Sequence, residues 1–93
     1  MTLEEGFKLY KETPDAVLLD VRSMEEFSGG HLDGAINMPI NKLAQIDLDK
    51  SRPIFVYCLS GARAGRAEKF LKSIGYHATN IGGISGYEGQ LVL

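Results

Sequence analysis

Tryptophan is absent from this 93-residue chain, proline occurs three times and cysteine only once. One cysteine excludes an internal disulfide framework, so the fold has to be held by its core alone. No apolar run approaches the roughly 20 residues needed to cross a bilayer, and no basic-then-apolar leader opens the chain. The sequence as given therefore reads as cytoplasmic, with no membrane partner. Charge of one sign is also scarce: ten Lys and Arg stand against twelve Asp and Glu, for a net charge of −2, which excludes a global nucleic-acid footprint. Hydrophobic residues at 44% and charged residues at 24% exclude disorder and leave one globular domain over residues 1–93, expected to be a monomer. A chain of this size buries only about 60–65% of its unfolded surface, so its stability should be modest.

What is present is organised around Cys58. It ends the apolar run Pro53-Ile54-Phe55-Val56-Tyr57 and is followed by Leu59, Ser60, Gly61, Ala62 and Arg63, after which a helix-like stretch runs to Gly75. Strand, short loop, helix is the order that brings a residue to the carboxyl edge of a parallel sheet. None of the residues from Leu59 to Arg63 is proline, so each keeps a backbone N–H, and Gly61 lets the loop curl so that those groups point inward. The positive end of the following helix lies at the same place, and Arg63 and Arg66 add cations there. In such surroundings a thiol pKa of about 8.5 is expected to fall, giving a nucleophile rather than an inert core cysteine. Cys58 is thus the candidate catalytic residue, and Leu59, Ser60, Gly61, Ala62 and Arg63 are the candidate substrate-binding residues.

Charge is distributed to match. Arg52, Arg63, Arg66, Lys69 and Lys72 face a single acid, Glu68, in the segment that carries Cys58, whereas Glu4, Glu5, Glu12, Asp15, Glu25 and Glu26 make the first third acidic. Positive potential beside a nucleophile favours anionic substrates. Lys69 and Lys72 are read more simply as complements to the carboxyl end of their helix.

Several segments together resemble a single-domain rhodanese, a sulfurtransferase whose active-site cysteine carries a persulfide. They are Leu18-Leu19-Asp20-Val21-Arg22 with Glu26-Phe27, then Gly30-His31-Leu32-Asp33-Gly34-Ala35-Ile36-Asn37, then Tyr57-Cys58 to Arg63, then Gly75-Tyr76 and Ile81-Gly82-Gly83. The resemblance implies sulfur transfer from a small anionic donor such as thiosulfate to a thiol or protein acceptor, without cofactor or metal, and with cyanide as an assay acceptor. Two positions depart from the family pattern. Ala64 stands where Ser or Thr is common, and Tyr87 where a tryptophan often follows the glycine pair. Rhodanese-like modules that only bind partners typically lack the cysteine, which is present here.

Along the chain, helix and strand signals alternate. Thr2 with Glu5 and Ser23 with Glu26 are capping boxes for two short helices, the first ending before Pro14 and the second at Gly29-Gly30. Ala16–Asp20, Ala35–Asn37, Pro53–Tyr57 and Ala78–Ile81 read as strands, Pro39 opens a helical turn to about Ile46, and apolar Ala64, Ala67, Phe70, Leu71 and Ile74 recur at helical spacing. Continuous apolar strands separated by helices imply a parallel sheet covered on both faces, hence a three-layer α/β sandwich. Rhodanese domains usually begin with a further edge strand, but helix signals start at Thr2, so about four strands are expected.

Other residues invite chemistry. Asp20 and His31 suggest a triad with Cys58, but Asp20, Arg22 and Glu26 have the charges and spacing of an ion-pair network fixing a strand-to-helix turn, and that reading is preferred. His31 and His77 lack partners at zinc spacing. Gly82-Gly83-Ile84-Ser85-Gly86 lacks the order of a dinucleotide loop and reads as a glycine turn. A phosphatase or arsenate reductase also closes a cysteine loop with arginine. Tyrosine phosphatases, however, place five residues between the two, and the four from Leu59 to Ala62 make a tighter ring.

Overall fold

The computed structural model describes residues 1–93. Helix α1 spans Leu3–Glu12, strand β1 Val17–Asp20, helix α2 Met24–Ser28, strand β2 Ile36–Asn37, strand β3 Ile54–Cys58, helix α3 Ala62–Ser73 and strand β4 Ala78–Gly83. A 3-10 segment covers Ile40–Gln45, behind Pro39 as its N-cap. Both capping boxes form: Thr2 Oγ1 accepts from Glu5 N while Glu5 Oε1 accepts from Thr2 N, and Ser23 and Glu26 repeat the exchange. These reciprocal bonds satisfy donors that a helix start leaves open.

The four strands are all parallel, in the order β2-β1-β3-β4. β1 and β3 are central, and every residue of both is buried, as their unbroken apolar character requires. Alternate residues then serve two cores. Val17, Leu19, Ile54, Val56 and Cys58 pack with Leu43 and with Ala64, Ala67 and Leu71 of α3 on one face. Leu18, Phe55, Tyr57 and Ile81 pack with Leu3 of α1 and with Leu32 and Ile84 on the other. This is the three-layer sandwich expected from the pattern. β4 runs two residues past its expected end, so Gly82 and Gly83 belong to the strand rather than to a turn. A bulge shifts its register so that Tyr57 pairs with Gly82 and Cys58 with Gly83.

At the carboxyl end of β1 a buried corner forms. Arg22 Nη2 meets Asp20 Oδ2 at 2.7 Å, Arg22 Nε lies 3.0 Å from Asp20 Oδ1, and Arg22 Nη2 also donates to Gly30 O at 2.7 Å. Asn37 Nδ2 donates to the carbonyls of Asp20 and Arg22. With all partners in place, this pair supplies geometric definition more than net stability. No helix is long and apolar enough to cross a membrane.

Candidate active site

At the end of β3, Ile84 N donates to Cys58 O and Ser85 N donates to Leu59 O, at 2.9 Å each. These bonds draw the first loop carbonyls toward the β4 side. Gly61, the N-cap of α3, has φ 97°, a left-handed conformation that an L side chain resists. Its carbonyl is taken by Gly65 N at 2.9 Å and by Asn80 Nδ2 at 3.2 Å.

With those carbonyls occupied elsewhere, two N–H groups converge on the sulfur. Gly61 N lies 3.0 Å and Ala64 N 3.3 Å from Cys58 Sγ. Donors aimed at one atom from the start of a helix form a cradle for negative charge on that atom or on a group attached to it. Cys58 is fully buried, whereas Leu59 and Ser60, which follow it, are exposed. Of the candidate binding residues, then, Gly61 touches the sulfur. Ala62 N faces Ser60 Oγ at 3.4 Å, Leu59 offers its carbonyl to Ser85, and Arg63 turns its side chain elsewhere. The Ala64 amide, which the sequence pattern did not single out, joins the site. Its side chain is buried in the core, so the missing hydroxyl leaves only apolar contact there.

Arg63 is held by Glu26 in a two-point pair, with Nη1 2.7 Å from Oε1 and Nη2 3.0 Å from Oε2. The sequence placed Glu26 in a network with Asp20 and Arg22. In the structure Asp20 and Arg22 pair with each other and Glu26 takes Arg63, 37 residues away, because the α2 capping box presents its carboxylate toward α3. The Arg63 bond first, with the Ser23 backbone bond adding to it, lowers Glu26 from the usual 4.5 to about 2. The guanidinium of Arg63 is raised in turn, chiefly by Glu26, with the nearby Cys58 sulfur a smaller contributor.

Because the folded carboxylate titrates below the unfolded one, its contribution to stability is complete above about pH 4.5 and is lost as pH falls toward about 2. The pair is partly solvated, which tempers the size of the effect. Urea midpoints measured between pH 5 and 2.5 should therefore fall less steeply in Glu26→Gln than in the parent chain. Equal slopes would refute the assignment.

His31 stacks on Phe27 with ring centroids 3.6 Å apart, its Nδ1 lies 2.9 Å from Phe27 O, and its backbone bridges Val92. That is a packing role rather than that of a base. Burial pushes the Tyr57 phenol above its ordinary value, and its oxygen accepts from Leu32 N at 3.1 Å. Tyr87, at the position where tryptophan is often found, packs partly buried against the α1-side core. A cleft of about 380 Å³ beside the loop is lined by Met24, Pro39, Ile40, Asn41 and Arg63. A slightly larger one of about 410 Å³ lies against α1 and includes no residue of the thiol loop.

Sequence reasoning also missed the far wall of the loop. Asn80 accepts from Gly82 N at 2.8 Å while its amide holds Gly61 O, and Asn80 N donates to Glu68 Oε2 at 2.8 Å. β4, the loop and α3 are thereby tied through one residue, by its side chain to the loop and by its backbone N–H to α3. The only signal available was an asparagine two residues before the glycine pair.

Comparison with known proteins agrees with this geometry. The Rhodanese-like domain family matches residues 4–90. The chain is 40% identical over 62 residues to the uncharacterized protein YqhL of Bacillus subtilis, covering 64% of this chain and 49% of that protein, so it spans about half the length of that relative. It is 37% identical over 71 residues to the thiosulfate sulfurtransferase PspE of Escherichia coli, covering 71% and 68%. The crystal structure of a rhodanese-like domain protein from Staphylococcus aureus superposes with a TM-score of 0.87 at 23% identity, over 100% of this chain and 95% of that one, which is a likeness of fold.

Proposed function

The chain belongs to the rhodanese-like domain family, and on that premise we propose that it transfers sulfur through a persulfide on Cys58. The Cys58 thiolate attacks the outer sulfur of a donor such as thiosulfate. A new S–S bond forms, the S–S bond of the donor breaks, and sulfite leaves with the electron pair. A thiophilic acceptor, a thiol or a partner protein's cysteine, then takes the outer sulfur and regenerates the thiolate. The observation that carries this reading is the pair of N–H groups, Gly61 and Ala64, directed at Sγ, since they favour the thiolate that attacks the donor.

The four-residue span to Arg63 and the engagement of that guanidinium by Glu26 favour sulfur over a phosphoryl group, whose several oxygens ask for a free, forked cation. Initial rates with thiosulfate and cyanide varied against each other should give parallel double-reciprocal lines, the pattern of a covalent intermediate. Lines that intersect would mean both substrates bind before sulfur moves and would remove the persulfide from the route.

A further inference from the structure

The closed ion pair beside the loop suggests how the site responds to substrate charge. We propose that Glu26 is a specificity-determining residue: by occupying both ends of the Arg63 guanidinium it cancels the loop's own cation, so that reagents at Cys58 are read by backbone N–H groups and not by a free positive charge. The proposal deepens the reading above and rests on it only in taking Cys58 as the reacting atom.

The pair is built from both sides. Glu26 Oε1 accepts from Ser23 N at 3.0 Å as well as from Arg63 Nη1, so the carboxylate is fixed by the start of α2 before Arg63 arrives. Arg63 is fixed by the start of α3, two residues past Gly61. To meet an incoming anion the guanidinium would have to abandon two charge-assisted bonds of 2.7 and 3.0 Å. The other charged residues lining the adjacent cleft are Glu25 and Lys42, one of each sign and both exposed. The charges of the pair and of that cleft thus sum to zero, and the exposed Arg66 of α3 is a cation common to every variant. Cancelling Glu26 leaves one positive charge there, and cancelling Arg63 leaves one negative.

Those opposite signs separate specificity from scaffolding, because a contact that only held the loop in place would be lost in the same direction whichever partner was removed. Cys58 is the only thiol in the chain, so its alkylation can be followed by intact mass without ambiguity. Iodoacetate and iodoacetamide both form an S–C bond with loss of iodide, are nearly the same size, and differ in charge. The ratio of their rate constants should rise about 3-fold or more in Glu26→Gln, fall by a similar factor in Arg63→Ala, and lie within about 2-fold of the parent in the double variant, with all differences shrinking in about 1 M salt. Gln keeps an oxygen able to accept from Ser23 N, so the α2 cap is retained. Should that variant nevertheless fail to fold, Arg63→Gln must lower the ratio by itself. Single variants that shift the ratio in the same direction, or leave it unchanged, would overturn the proposal while leaving sulfur transfer intact. A Cys58 that neither reagent modifies in any variant would overturn both.

Discussion

Cys58→Ala should abolish thiosulfate-dependent sulfur transfer, by about 10³-fold or more, in a chain that still folds. Only the sulfur can form the intermediate, and no neighbouring side chain substitutes for it: His31 is stacked on Phe27 and Tyr57 is buried on the opposite face of the sheet. The structural cost is small by comparison. Cys58 packs among Val56, Ala64 and Ala67, and removing one buried atom there should cost about 1–2 kcal/mol. Circular dichroism and a urea midpoint check the fold, and a coupled sulfite or thiocyanate assay checks the rate. Retained turnover would remove Cys58 from the chemistry.

Gly83→Ala should produce the second largest loss, through geometry rather than chemistry. A Cβ at position 83 would come within 2.7 Å of Ser60 C and 2.6 Å of Leu59 C, and these are backbone atoms of the loop, with no flexible side-chain end to swing aside. β4 is held in register with β3 at Cys58–Gly83, so the loop is the part that must move. Displacing it moves the Gly61 and Ala64 N–H groups off the sulfur. A misplacement of order 1 Å in such a cradle costs roughly 10²-fold in rate. Gly29→Ala is the comparison, because its φ of −78° suits an L residue and its added methyl meets only ordinary van der Waals contacts, at 3.5 Å and beyond. The expected result is a steep fall in kcat for Gly83→Ala with a modest loss of stability, against near-parent activity for Gly29→Ala. Equal activities would show that the loop does not depend on the β4 wall.

The contrast between these two positions marks where the sequence could be read. Ala16–Asp20 and Pro53–Tyr57 announced buried parallel strands because both of their faces are apolar, and Thr2-Glu5 and Ser23-Glu26 announced helix starts because capping is local in sequence. Asp20 with Arg22 was legible for the same reason: two residues separate the partners. Cys58 and Gly61 stood out because a strand-loop-helix junction is itself a local pattern. The rest depends on which elements meet. Glu26 had several cations within its possible reach, and only the fold, which brings the start of α2 within side-chain reach of the start of α3, selects Arg63. The need for glycine at position 83 arises from a bulge in β4 that changes its register against β3, and no composition signal records a register shift. The Ala64 amide enters the site because Gly61 takes a φ of 97° and winds the first turn of α3 back over the sulfur.

Intact mass after incubation with thiosulfate tests the central claim most directly. The protein should gain one sulfur atom, lose it on brief treatment with cyanide or a thiol, and show no gain in Cys58→Ser. A parent chain that acquires no sulfur, or a Cys58→Ser variant that acquires it equally, would contradict the persulfide route.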